Sequence, residues 1–188
     1  HGTIGRGNFL RVLTAFKVKT VDALICSHFD ADHVRGLTKF LSVHCKKNES
    51  PSSGVKKKKH IDETDPEAFS VNTLYVRDDV FAMDGKTLSD ALMIAAVTKG
   101  VTVVQPKVGE EIGFSGARAV FKCLARQSGD VRDENEGSLA WRIDYGRLSY
   151  FTAGDLPQAR EDAVQCVVAA EVDRQLAFAA RAQLDLHG

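Results

Sequence analysis

The chain has 188 residues, a length suited to one domain at roughly 100–200 residues per domain, and its 25 basic and 25 acidic side chains cancel to a formal charge of zero. Hydrophobic residues make up 44% and charged residues 27%, a balance that excludes intrinsic disorder, and no apolar run reaches the roughly 18 residues of a membrane span. A uniformly basic polyanion binder is excluded as well, because the overall field is near zero.

Residues 8–18 place Phe9, Leu10, Val12, Leu13 and Phe16 at helical spacing, so a helix is expected there. Gly5-Arg6-Gly7 is no phosphate loop: it follows no strand and lacks the Lys-Ser/Thr of a P-loop. Residues 20–27 read as a short buried strand. A polar knot, His-Phe-Asp-Ala-Asp-His, separates it from residues 34–43, where Val34, Leu37, Phe40 and Leu41 recur with a helical period. Helix, strand, polar turn and helix in succession point to an α/β layer protein.

Residues 46–70 lack periodicity and read as a mobile charged insertion in a single domain spanning 1–188. Six lysines and one glutamate give residues 46–60 a net charge of +5, and residues 61–67 carry −4. The run Lys56–Lys59 is suited to phosphate or nucleic acid by simple electrostatics. Farther on, strands are expected at 71–76, 101–104 and 119–124, and a helix at 87–99 that Thr87 or Ser89 caps and Gly100 stops. Turns are expected at 109–111 and 114–116 and a polar loop at 127–137. A hairpin follows, with arms 138–144 and 148–153 about Gly146. Residues 158–183 are Ala-rich and read as one or two helices.

The four cysteines, Cys26, Cys45, Cys123 and Cys166, include no Cys-x-x-Cys pair. Cys26 and Cys166 lie in apolar runs and read as small buried hydrophobes. A disulfide framework is not needed in a chain long enough to build a core. With no signal peptide at the start of this segment, a reducing, cytoplasmic setting is expected. The chain opens at His1 without Met and stops just after His187, so a domain cut at one or both ends is expected.

His28, Asp30, Asp32 and His33 fall within six residues at the end of a strand. All four are metal-ligand types. In an extended segment alternate side chains share a face, which would align His28, Asp30 and Asp32 and let His33 swing in as the next helix begins. Two carboxylates so placed repel each other unless a cation lies between them. An EF-hand is excluded, because Val34 and Arg35 occupy positions where that loop needs an oxygen ligand and Gly, and imidazole ligands point to zinc, manganese or iron.

The run Ser27 to Leu37, SHFDADHVRGL, resembles the first metal motif, H-x-H-x-D-H, of the metallo-β-lactamase-fold hydrolases. The version with Asp30 in place of the second His is similar to the hydrolase domain of ComEC-like competence (DNA-uptake) proteins. Asn135-Glu136-Gly137-Ser138-Leu139, Tyr145-Gly146 and Phe151-Thr152-Ala153-Gly154-Asp155 resemble, in order, that branch's N-x-x-S-L strand, a turn and a strand ending in T-G-D. The resemblance implies a metallo-β-lactamase-like αββα sandwich, two mixed sheets packed face to face with helices outside. It implies His28 and Asp30 at a first metal site, Asp32 and His33 at a second, and Asp155 bridging them. Leu186-His187-Gly188 matches part of the last ligand segment, which makes His187 a further ligand candidate.

Asp30 brings an anionic oxygen where an imidazole is usual, which shifts preference from zinc toward harder ions such as manganese or magnesium. No His lies between His60 and His187 to complete the first site; Asn135 and Ser138 stand in that region as substrate-binding candidates. The expected cofactor is therefore one or two divalent ions, Zn or Mn, activating a water that Asp32 orients or deprotonates. The expected function is a hydrolase acting on a phosphodiester or nucleic acid. The alternatives are a small ester, thioester or lactam hydrolase on the same site, and a catalytically degenerate metal-binding or regulatory domain.

Overall fold

The computed structural model describes residues 4–48, 69–77, 83, 85–127, 131 and 133–164. Helix α1 (Ile4–Ala15) begins earlier than the apolar spacing indicates and takes in Gly5-Arg6-Gly7. It ends in a turn where Val18 N donates to Leu13 O at 2.9 Å and Lys17 adopts φ 54°.

Strands β1 (Thr20–Ile25), β2 (Ser70–Tyr75) and β3 (Thr102–Val104) form a parallel sheet in that order. Helix α2 (Ala31–Lys39), which runs on into a π-helical turn over Phe40–His44, lies between β1 and β2 in sequence. Helix α3 (Leu88–Thr98) lies between β2 and β3. A parallel pair needs such long crossovers and must be covered on both faces, and alternation along the strands does this. Leu24, Leu74 and Val76 pack with Val34, Phe40, Leu41, Leu92 and Ala96 of the helical layer, while Ala23, Ile25, Tyr75 and Val104 face the other way.

Thr87 Oγ1 accepts from Asp90 N at 3.1 Å to cap α3, and Gly100, at φ 71°, closes it, as their residue types predict. The charged insertion leaves and rejoins the fold at one point, where Cys45 bridges to Phe69. Residues 49–68, which include Lys56–Lys59, lie outside the described residues.

The second sheet is antiparallel, in the order β4 (Glu111–Gly113), β5 (Ala119–Ala125), β6 (Ala140–Tyr145), β7 (Leu148–Thr152). The β4–β5 and β6–β7 connections, five and two residues long, are too short for crossovers. The expectation of two mixed sheets is therefore corrected: among the described residues one sheet is wholly parallel and the other wholly antiparallel. β4, three residues long, is too short to show a period; it lies between the turns expected at 109–111 and 114–116 and takes in Glu111 from the first. The β6–β7 hairpin turns on Gly146, at φ 60°, the first position of a two-residue loop where a positive φ is needed.

Tyr75 of the first sheet meets Trp141 of the second edge-on at 5.8 Å, and Cys123 and Leu139 complete the cluster between the sheets. On the opposite face of the second sheet Ala140, Ala153 and Leu156 pack with Val164 of a helix, α4, over residues 158–164. The protein is thus α/β with two sheets. No helix among the described residues is long and apolar enough to cross a membrane. Cys26 is free and buried, as read from its apolar neighbours, and Cys45 and Cys123 are free and buried too; Cys166 lies outside the described residues. His44 is half-buried and stacks on Phe40 at 6.4 Å.

A candidate metal centre at the end of the first strand

Past Ile25 the chain leaves the parallel sheet but stays fixed by backbone bonds. Cys26 N donates to Tyr75 O at 2.9 Å, and Ser27 O accepts from Leu139 N at 2.8 Å. The second bond ties the end of β1 to the segment entering β6. A further clamp lies alongside. Arg77, 5% exposed, holds Glu134 through Nη2 at 2.8 and 2.9 Å and covers the Phe29 ring at 4.9 Å. Glu134 also accepts from Phe29 N at 3.3 Å. A Cβ on Gly137 would lie 2.9 Å from Arg77 Cδ, so the short 3₁₀ turn Glu134–Gly137 needs glycine at its end.

Helix α2 starts at Ala31, and Asp30 is its extended N-cap, at φ −68° and ψ 153°. This corrects the expectation that His28, Asp30 and Asp32 share one face of an extended run. Asp32 lies inside the first helical turn, where a carboxylate is favoured by the helix dipole. Asp30 makes no side-chain cap bond, although Asp at this position usually does. Its carboxylate lies toward His28 instead, with Oδ2 3.7 Å from Nε2.

His28, His33 and Asp155 each bring one ligand atom within 4.8 Å of the others, a group that could hold a metal ion. His28 Nε2 lies 4.0 Å from Asp155 Oδ2, and His33 Nε2 lies 3.5 Å from the same oxygen. His33 Nε2 is also 3.9 Å from Asp32 Oδ2. Each imidazole therefore has a carboxylate of its own, Asp30 or Asp32, and both share Asp155. The two imidazole centroids lie 4.0 Å apart, with the rings tilted 46° to each other.

Burial divides the group into a dry floor and an open mouth. The His28 side chain is fully buried, His33 is 29% exposed, and the three carboxylates are 46–57% exposed. His28 Nε2 is buried and has no hydrogen-bond partner. A buried polar atom left unpaired costs roughly 1–3 kcal/mol, and this one faces carboxylates. Burial, aided by the neighbouring His33, holds the His28 imidazole below its ordinary value, against the opposite pull of Asp155, Asp30 and Asp32. His28 is therefore neutral near pH 7, with a lone pair free for a cation. The donor set, two imidazoles and three carboxylates around that orphaned nitrogen, fits a divalent metal ion.

Ser27 organises the two rings. Its Oγ lies 3.1 Å from His28 Nδ1 and 3.2 Å from His33 Nδ1. A hydroxyl oxygen has two acceptor lone pairs, so it can receive both Nδ1–H groups and leave both Nε2 atoms as lone-pair donors. Such a partner fixes the tautomer and orientation of a metal-binding histidine. Gly154 closes the arrangement: it adopts φ 57°, and a Cβ there would lie 2.7 Å from Ser27 Cβ and 2.8 Å from Ser27 Oγ. Only glycine lets the turn before Asp155 approach Ser27 so closely.

Ser138 Oγ and Asn135 Oδ1 are also buried without partners, and Ser138 Oγ lies 3.3 Å from the same Cβ position on Gly154. Five of the six metal-ligand candidates from the sequence are thus gathered at one place; His187 lies outside the described residues. Ser27 was missed although it directly precedes His28, because a serine beside a histidine carries no signal until the fold brings His33 to it. Arg77 and Glu134 had no sequence signal at all.

Comparison of the sequence with models of known protein families gave no match, and comparison with curated proteins gave none.

Proposed function

We propose that the chain is a divalent-metal-dependent hydrolase of the metallo-β-lactamase type, similar to the hydrolase domain of ComEC-like competence proteins, acting on a phosphodiester. One observation carries the reading: the buried, unpartnered His28 Nε2 faces Asp30 and Asp155 beside a second imidazole. The α/β architecture with two sheets and the order of the motifs along the chain support it.

His28, His33 and Asp155 would hold the ion, with Asp30 and Asp32 at hand on either side. Three carboxylate donors against two imidazoles favour manganese over zinc. A divalent ion in such a site supplies charge neutralisation and lowers the pKa of water from about 15.7 toward 7. Asp32, 57% exposed at the mouth, orients the attacking water and accepts its proton. Ser27 keeps both imidazoles in the tautomer that leaves Nε2 free. Ser138 and Asn135 direct a hydroxyl and an amide oxygen that have no internal partner, and these bind polar groups of the substrate. The wall formed by Leu139, Trp141 and the Arg77–Phe29 stack holds the segment 27–33 in place, so that the carboxylates keep their spacing.

The test is manganese-stimulated cleavage of bis(p-nitrophenyl) phosphate. Asp32→Ala should abolish it. Hydrolysis of a thioester or lactam with none of the phosphodiester would overturn the substrate class, and activity unaffected by chelator would overturn the metal-dependent reading.

A further inference from the structure

Beside Ser138 a cavity of about 190 Å³ is lined by the apolar Ala125, Leu156 and Val164 and by the polar Arg126, Gln127 and Arg160. With a water occupying roughly 30 Å³, this is room for a phosphate group. Arg126 donates through Nη1 to Arg77 O at 3.4 Å, but its Nε is buried and has no partner. Arg160 donates to Gln127 Oε1 at 2.5 Å and to Glu136 O at 3.4 Å. All these acceptors are neutral. Among the described residues neither guanidinium has a carboxylate within ion-pairing distance, and Glu136 is the one acidic residue on the lining. Two guanidiniums at one cavity, neither ion-paired among the described residues and one with an orphaned buried donor, are suited to the oxygens of a phosphate.

The cavity adjoins the candidate metal centre. Ser138 lines it, and Ser138 Oγ and Ser27 Oγ flank the same face of Gly154, the residue before Asp155. We propose that Arg126 and Arg160 form a subsite for a phosphate of the substrate next to the one cleaved. The proposal deepens the phosphodiesterase reading and rests on it for the identity of the anion, but binding can be read without turnover.

The experiment is titration of inorganic phosphate into the full chain by calorimetry, with chelator present so that no metal-held phosphate contributes. Arg160→Gln, at an exposed position, should weaken phosphate at least about fivefold, and Arg126→Gln with Arg160→Gln more than tenfold. Arg126→Lys should restore part of the loss, because it keeps the charge but not the fork. Manganese affinity should not change in any of these variants. No phosphate binding by the parent chain, or equal binding by the parent and the doubly substituted chain, overturns the subsite. If manganese fails to bind while the phosphate effect is present, the hydrolase reading falls and the anion site stands. If manganese binds and phosphate does not, the subsite alone falls.

Discussion

Replacing Ser27 with alanine deletes one oxygen and leaves two ring nitrogens, His28 Nδ1 and His33 Nδ1, without the partner that lies 3.1 and 3.2 Å away. The consequences differ between the rings. His33 is 29% exposed, so water can replace the serine. His28 is fully buried, so its Nδ1–H is left unsatisfied, at a cost of roughly 1–3 kcal/mol. That cost falls on the tautomer that leaves Nε2 free, and a ring that changes tautomer or rotates no longer offers Nε2 to a cation. Removing such an outer partner typically lowers metal affinity about 10- to 100-fold, or about 1.4–2.7 kcal/mol at 25 °C by the usual tenfold conversion. The assay is competition for manganese or zinc against a chromophoric chelator, with Ser27→Ala beside the parent. Ser27→Thr, which keeps a hydroxyl, serves as the control. A Ser27→Ala chain that binds metal as tightly as the parent would refute the claim that this hydroxyl sets the imidazoles.

Gly154→Ala should lose more stability in urea than Gly116→Ala. Both glycines have positive φ and share the left-handed penalty of roughly 1–2 kcal/mol, but only Gly154 would bring a Cβ to 2.7 Å from Ser27, whereas Gly116 has open space; equal losses would contradict the close approach. Without metal, the fold should weaken as pH falls below about 6.5, the ordinary histidine value. Burial lowers the His28 pKa in the folded chain, so the unfolded chain binds more protons in that window and stability rises with pH there; urea midpoints at pH 7.5 and 5.5 test this, and the drop should shrink in His28→Asn. Burial pushes the Cys26 thiol up to about 12 and the Cys45 and Cys123 thiols up to about 11. All three should resist iodoacetamide at pH 8 in the native protein and react in denaturant, and peptide mass spectrometry that finds any of them alkylated natively would contradict their burial.

The candidate site was legible in the sequence because its ligand types are local. His28, Asp30, Asp32 and His33 are crowded at a strand end, and strand-to-helix grammar places such a knot at the edge of a sheet. Asp155 was legible through motif order. The arrangement was less so: an extended geometry fits Asp30 but not Asp32, because the helix begins one residue after Asp30 and the helical turn overrides strand alternation. The residues that hold the site make long-range contacts. Arg77 and Glu134 are 57 positions apart, and Gly154 presses on Ser27 from the far side of the second sheet's sequence. No local period or motif carries those pairings. Sheet composition behaved similarly: strands β1, β2, β3, β5, β6 and β7 were readable from apolar runs and the Gly146 turn. The division into one parallel and one antiparallel sheet depends on which strands pair, and apolar runs do not encode that.

The central claim is that His28, His33 and Asp155 form a metal centre, and metal content tests it most directly. The purified chain, equilibrated with manganese or zinc, freed of excess ion and analysed by mass spectrometry for metal, should retain at least one ion per chain. His28→Asn, checked by circular dichroism to be folded, should lose it. A folded parent chain that retains no divalent ion, or a His28→Asn chain that retains as much as the parent, would contradict the account.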